Sequence, residues 1–401
     1  MLNRVYVTGI GIVSAIGDDA DSVLKSLCSR KSGLGFTNIL ETIHKNEFPV
    51  GEVKLSNNEL SIALKINSSK FYTRTSLLGL YAAKQALENS GLTSIPDCRT
   101  GLISANSVGG MDRSEIFFKD FLIDNKKGKL RNIIGHDSGD STEKIASYLK
   151  INDYVTTIST ACSSSANAIM LGARLIKNNV LDRVIVGGTD ALTVFTINGF
   201  NSLMVLDNKP TRPFDDTRNG INLGEGAAYL VLESEDVVNN TNKAILCEVK
   251  GYGNACDAFH QTASSPEGKG AFLAMKKALE VAELKPEEID YINAHGTGTP
   301  NNDLTEGNAL INIFGSQIPM FSSTKPYTGH TLGASGAIEA VLCVLAIKNN
   351  IAFPNLNFEI PMKESGIIPL TEIKENISIK NVLSNSFGFG GNNTSLIFSA
   401  C

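Results

Sequence analysis

Apolar residues along the chain alternate between two spacings. The runs Val5–Val13, 183–188, 227–232 and 245–249 are strand-like. The stretches 76–90, 164–177 and 268–282 repeat apolar positions every three or four residues and predict helices with one buried face. Strands alternating with helices in this way predict an α/β protein. Ser90-Gly91 closes one helix, and Lys285-Pro286-Glu287-Glu288 opens a short acidic turn before the apolar segment 289–292. The apolar run 333–347 is interrupted by Glu339 and is too short for a hydrocarbon core of ~30 Å. The first residues loosely imitate a signal peptide, but their glycines and Asp18-Asp19 suit a strand and turn better. No export signal or membrane span is expected, and the reading is of a soluble, cytoplasmic chain.

No low-complexity linker divides the sequence. Its clearest composition break, Asn239-Asn240-Thr241-Asn242, separates a half at 1–240 from one at 241–401. Each half opens with a strand that meets glycine, at 5–9 and at 247–251. Each also holds a small-residue helix ending in Ile-Lys-Asn-Asn, at 166–179 and 334–350, which suggests an internal duplication. Chance similarity of two surface helix ends is the alternative.

The 401 residues carry 36 Lys+Arg against 41 Asp+Glu, a net charge of −5, with 42% hydrophobic residues. That balance excludes a disordered or fibrous chain and lacks the cation excess that binds nucleic acid. The densest basic stretch, 126–131, reads as a solvated loop. Seven cysteines without a CxxC pair imply free thiols in a reducing compartment.

Cys162 follows an apolar strand and precedes a small-residue helix, where the positive end of the helix dipole favours a thiolate nucleophile; a packed structural cysteine is the competing reading. His295, in Ala294-His295-Gly296-Thr297-Gly298-Thr299, and His330, in Lys325-Pro326-Tyr327-Thr328-Gly329-His330, both follow short apolar segments and open into glycine-rich turns. Such strand ends collect functional groups in α/β proteins. Five histidines without HExxH or HxH spacing give little support to a metal site. Gly9-Ile10-Gly11 resembles the start of a dinucleotide fingerprint but lacks its third glycine. Finally, Phe387-Gly388-Phe389-Gly390-Gly391 combines a tight turn with bulky side chains and free N–H groups.

Taken together, the Cys162, His295 and His330 motifs, Lys325 and the terminal Phe-Gly-Phe-Gly-Gly resemble the β-ketoacyl-acyl-carrier-protein synthases, especially the type II elongating enzymes. The similarity spans nearly the whole chain, including Thr211-Arg212-Pro213-Phe214-Asp215 and Gly329-His330-Thr331-Leu332-Gly333. The resemblance implies a thiolase-like fold, a five-layered α-β-α-β-α core with an internal pseudo-twofold duplication, usually a homodimer and in some relatives a heterodimer.

It also implies an acyltransferase in fatty acid chain elongation. Cys162 would take an acyl group from an acyl carrier protein as a thioester. His295 and His330 would bind the malonyl thioester carbonyl while carbon dioxide leaves, and the carbanion would attack the acyl-enzyme. The N–H groups of Cys162 and Phe389 would form an oxyanion hole, each typically worth ~3–4 kcal/mol. Lys325 would orient the histidines with Glu339 in support. Thr297 and Thr299 would contact the phosphopantetheine arm, and Val108 and Phe200 would line the acyl pocket. No metal and no cofactor beyond the carrier-bound arm is implied.

Gly298 stands where serine is common in the family and Asn392 where threonine is common, and Pro326-Tyr327 fills the stretch after Lys325. Ketosynthases of polyketide and aryl polyene assembly share the catalytic set and form one alternative; a non-catalytic chain-length-factor-like subunit or a degradative thiolase forms another. Lys65, Lys70 and Arg74, with Lys126, Lys127, Lys129 and Arg131, are the candidate surface for an acidic carrier protein.

Overall fold

The computed structural model describes residues 3–67, 69–92 and 98–401. The first half of the chain runs β1 (Val5–Val13), α1 (Ala20–Cys28), α2 (Asn57–Ala63), α3 (Arg74–Asn89), β2 (Thr100–Ala105), α4 (Met111–Ile123), α5 (Ser138–Leu149), β3 (Tyr154–Ile158), α6 (Ser164–Lys177), β4 (Arg183–Asp190), α7 (Val194–Ser202), β5 (Gly226–Ser234) and α8 (Glu235–Thr241). The second runs β6 (Cys247–Cys256), α9 (Lys269–Ala282), β7 (Tyr291–Asn293), α10 (Pro300–Phe314), β8 (Met320–Ser322), α11 (Lys325–Thr328), α12 (Ser335–Asn349), β9 (Asn381–Phe387) and β10 (Asn392–Ser399).

Among the described residues these strands form one sheet in the order β3-β2-β4-β5-β1-β6-β10-β9-β7-β8. Outward from the β1–β6 seam the two sides repeat each other: β1, β5, β4, β2, β3 against β6, β10, β9, β7, β8. On both sides the outer strands are parallel and the inner ones antiparallel. The seam consists of Tyr6 paired with Glu248 and Val7 with Cys247.

Side chains alternate along the strands and so divide the core into layers. Val184, Val186, Leu230 and Leu232 pack with α6 and α12, together with Tyr291, Val382, Leu396 and Phe398 from the other half. Their neighbours Ile185, Tyr229 and Val231 face α3 and α5, while Ile292, Leu383 and Ile397 face α9 and α10. The result is α3/α5, half-sheet, α6/α12, half-sheet, α9/α10, the five layers expected. The central helix α12 is buried from Ser335 to Ile347 and contains most of the apolar run noted at 333–347. Residues 332–349 are apolar enough to cross a membrane by composition, yet 89% of them lie inside the protein.

The duplication reaches individual residues. Both Lys-Asn-Asn endings close their helices with the second asparagine in the left-handed region, Asn179 at φ 59° and Asn350 at φ 55°. The strand expected over 245–249 instead runs from Cys247 to Cys256, through Gly251 and Gly253, where α9 presses against it. A Cβ there would lie 2.3 Å from the Ala278 carbonyl oxygen and 2.2 Å from that of Ala274; at Gly9 and Gly11, Ala86 and Ala82 of α3 stand at 2.4 and 2.1 Å. The Gly9-Ile10-Gly11 pair therefore serves close contact between helix and strand.

Gly11→Ala and Gly253→Ala are each expected to cost about 1–3 kcal/mol, since a backbone oxygen cannot move aside for a methyl group. The measurement is the urea midpoint, and no change in either variant would contradict this packing.

Candidate active site

Cys162 and His330, from the segments that precede α6 and α12, meet in one cavity, and the turns that lead into the two helices match. Ala161, three residues before Ser164, has φ 52°; Leu332, three residues before Ser335, has φ 53°. Cys162 in one turn thus corresponds to Gly333 in the other. A non-glycine residue in this region is strained and must be held by its surroundings. Around Ala161, the Ser164 hydroxyl accepts from the Thr160 N–H at 2.8 Å and donates to the Ala161 carbonyl at 2.5 Å.

His295 leaves the end of β7 and is fixed through its backbone. Its own N–H and that of Gly296 donate to the Glu306 carboxylate of α10, at 2.9 and 2.8 Å, while Asp303 accepts from the N–H groups of Thr297 and Gly298. His330 is anchored by its N–H on the Asn222 carbonyl, and its Nδ1 accepts from the Leu332 N–H and faces the Ser335 hydroxyl, both at 3.0 Å. Lys325 is buried, with Nζ 3.2 Å from His295 Nδ1, 2.5 Å from Glu339 Oε1, and in contact with the His295 carbonyl oxygen.

These contacts set the tautomers. A Lys325 ammonium facing three acceptors donates to His295 Nδ1, and a backbone N–H donates to His330 Nδ1. In both neutral rings Nε2 therefore carries the hydrogen and presents a donor. Burial first, then the Lys325 charge, holds both imidazoles well below their ordinary pKa, so both are neutral at pH 7. The rings meet edge to face at 5.4 Å, and ligand atoms of Cys162, His295 and His330 all lie within 4.8 Å of one another. Cys/His/His is a plausible metal-binding set by atom type, but metal coordination needs a free nitrogen lone pair where each Nε2 bears a hydrogen. The arrangement suits a carbonyl oxygen better.

Burial pushes the Cys162 thiol up to about 11, against the Lys325 charge and the N–H groups of Phe389 and Cys162, which pull it down. The helix N-terminus alone had suggested a thiolate. Desolvation outweighs it, so Cys162 rests as a thiol.

The cavity has a volume of about 330 Å³ and is lined by Cys162, both histidines, Thr297, Thr299, Phe200 and Phe389, among others. Phe389 stacks on Phe200 with ring centres 5.8 Å apart, and the hydroxyls of Thr297 and Thr299 are 2.8 Å apart. Val108 is not among the lining residues. It packs against the cluster of Phe48, Leu192 and Leu332, and its N–H donates to Asp190. Arg74 does not belong to a docking surface: it is buried, paired with Glu225 at 2.6 Å and bonded to the carbonyls of Val53 and Leu55. Its long side chain holds the loop at 53–57 instead.

Sequence reasoning missed the carboxylates that hold the site. Asp303 and Glu306 sit one turn apart on the buried face of α10, and burial raises Glu306 to about 7. Asp190, raised by burial to about 6, accepts from Ser107, Val108 and the Gly333 N–H. An acidic pair spaced i, i+3 just after a Gly-Thr-Gly-Thr-Pro turn was the available signal.

The sequence model described as Beta-ketoacyl synthase, N-terminal domain, matches residues 2–237, and that of the C-terminal domain matches 246–359. The chain is 35% identical to a 3-oxoacyl-[acyl-carrier-protein] synthase 2 of Coxiella burnetii, covering 99% of this chain and 98% of that one. It is 34% identical to a chloroplastic 3-oxoacyl-[acyl-carrier-protein] synthase II of Arabidopsis thaliana, covering 99% and 75%. Among solved structures it is similar to the ishigamide ketosynthase/chain length factor, with TM-score 0.95 and 28% identity over 100% of both chains. The ketosynthase ApeO in complex with its chain length factor ApeC from Xenorhabdus doucetiae gives TM-score 0.87 and 33% identity over 100% of this chain and 98% of that one.

With the thiol near 11, alkylation of Cys162 by iodoacetamide is expected to accelerate about tenfold per pH unit from pH 7 to 10. Intact mass against time gives the rates. A plateau below pH 8.5 would show a thiolate at rest instead.

Proposed function

The chain belongs to the β-ketoacyl synthase family, and on that footing we propose that it condenses an acyl group with malonyl carrier protein, releasing carbon dioxide and a 3-oxoacyl chain two carbons longer. The observation that carries this reading is the pair of Nε2–H donors facing the Cys162 sulfur across one cavity. A thiolase that cleaves 3-oxoacyl groups needs no such pair for a carboxylated substrate, and a subunit without catalysis needs no nucleophile.

In the first half-reaction the Cys162 sulfur attacks the acyl thioester carbon while its proton passes to the departing pantetheine sulfur. Charge on the tetrahedral oxygen falls to the N–H groups of Cys162 and Phe389. In the second, the malonyl thioester oxygen lies between His295 and His330. As the bond to the carboxylate breaks, its electron pair becomes an enolate, whose negative oxygen the two donors stabilise. The enolate carbon attacks the acyl-enzyme, the carbon–sulfur bond breaks, and Cys162 takes up one proton. Neutral imidazoles suit this step because they donate without surrendering a proton to the carbanion, which would quench it before the new bond forms.

The substrate arm is the carrier's phosphopantetheine, placed past Thr297 and Thr299, and no further cofactor takes part. Lys65 and Lys70, with Lys126, Lys127, Lys129 and Arg131, are exposed and form the reduced docking surface for an acidic carrier. The edge strand β3 and the exposed Ile116, Phe118, Phe121 and Leu122 of α4 offer the face for a second subunit, in the first instance an identical chain. The free cysteines suit a cytoplasmic setting.

Cys162→Ala is expected to abolish acylation by acyl carrier proteins, seen as an absent mass adduct. His330→Ala is expected to retain acylation but lower malonyl decarboxylation at least 100-fold, followed as released carbon dioxide. Equal loss of both steps in His330→Ala would contradict the division of labour.

A further inference from the structure

The Phe389 N–H can serve Cys162 only if its turn is held, and that turn is poorly held by its own chemistry. Gly390 and Gly391 adopt φ 82° and 77°, a Cβ on Gly390 would meet nothing within 4 Å, and the Phe389 side chain is 37% exposed. Buried Asn393 Nδ2 donates to the Gly391 carbonyl at 3.0 Å, and two further contacts lie on the outer side. Gly390 N–H donates to Gln261, Asp257 N–H donates to Gly391, and both partners belong to a surface loop. Toward the nucleophile Gly388 packs closely, a Cβ there lying 3.0 Å from the Thr160 carbonyl oxygen and 3.3 Å from the Cys162 nitrogen, and the side-chain link is Asn392, which directly follows the turn and whose backbone carbonyl accepts from Gly388 N–H at 2.9 Å.

Three donor groups lie within hydrogen-bond distance of Asn392 Oδ1: the Ser163 hydroxyl at 2.7 Å, whose one hydrogen is shared with the Thr160 carbonyl oxygen at 2.8 Å, Asn167 Nδ2 at 2.8 Å and Asn254 Nδ2 at 2.9 Å. Asn167, buried on the first turn of α6, also donates to Thr160 Oγ1 at 2.9 Å and accepts from Thr394 at 2.8 Å. Thr160 and Ser163 flank the strained Ala161-Cys162 step. One carbonyl oxygen therefore ties the turn that carries Phe389 to both sides of the turn that carries the nucleophile. A threonine at this place would be shorter and would have no carbonyl to receive two amide groups and a hydroxyl together.

We propose that Asn392 is a positioning residue, latching the Gly388–Gly391 turn to the first turn of α6 so that the Phe389 N–H stays aimed at the Cys162 sulfur. Without the latch, the outer contacts to Gln261 and Asp257 weigh more in where the glycine turn rests, and the donor follows the surface loop instead of the nucleophile. The consequence for acyl transfer rests on the ketosynthase reading; the effect on the thiol does not.

The test compares the full-length protein with Asn392→Ala, Asn167→Ala and the double variant. Two quantities are read: the pH profile of Cys162 alkylation by iodoacetamide, and kcat and KM for acyl transfer from acyl carrier proteins. The other titratable groups facing Cys162, namely Lys325, His295, His330 and Asp190, are the same in every variant. The expected result is a profile displaced to higher pH and kcat lowered about tenfold at unchanged KM, because the donor is misplaced but the carrier surface is intact. The double variant should be no worse than the poorer single one, since both remove the same latch. If Asn392→Ala does not fold, Asn254→Ala removes one donor from the exposed rim and should displace the profile in the same direction. An unchanged profile in the folded variants overturns the proposal. A displaced profile in a protein that accepts no acyl group upholds the latch and removes the ketosynthase reading.

Discussion

A buried lysine with three acceptors around it is the constraint on which the site depends. Lys325 alone in a dry interior would be prohibitively costly, and it is tolerated because Glu339 balances its charge and two His295 atoms take its remaining hydrogens. The reward is directional. With Nδ1 of His295 occupied by a cation, the ring has no choice but to show Nε2–H to the cavity, and the same cation discourages protonation of either histidine. Glu339 lies on α12 and His295 at the end of β7, so one ion pair also locks a central helix to the second half-sheet.

Dryness has an opposite effect on the nucleophile. The burial that keeps both imidazoles neutral also keeps Cys162 protonated, in spite of the helix end and the lysine. A resting thiol is less reactive toward stray electrophiles, and its anion gains most where two N–H groups already wait. In the proposed reaction the same low-dielectric setting would strengthen those donors once charge appears on a thioester oxygen. Protection at rest and stabilisation in the transition state thus come from one property of the cavity.

Much of this was legible in the chain. Strand period, the repeated Ile-Lys-Asn-Asn and the glycine-rich turns after His295 and before His330 carried the α/β class, the duplication and the candidate site residues. What escaped was of two kinds. The thiol's protonation depends on how much water is removed, a quantity that accumulates over the whole core and that a local helix-end argument cannot weigh. Arg74 looked like a surface cation because its partner Glu225 lies 151 residues away. Asp190, Asp303 and Glu306 act mainly on backbone N–H groups; the i, i+3 spacing of Asp303 and Glu306 was their one trace in the chain, and for Asp190 only the fold brings the carboxylate to the loop it holds.

The duplication explains why a symmetric framework yields an asymmetric reaction centre. The turns at Ala161 and Leu332 share one strained conformation, each followed by an N–H at the matching place. In the second half that amide belongs to Gly333 and is taken at 2.7 Å by Asp190, which fixes the His330 turn against β4. In the first half it belongs to Cys162, whose N–H lies against its own sulfur. Spending one copy of the turn on structure leaves the other free for chemistry: the anchored copy can carry a histidine whose direction must not vary, while the other sets its N–H at the cysteine itself, where the proposed condensation would develop charge.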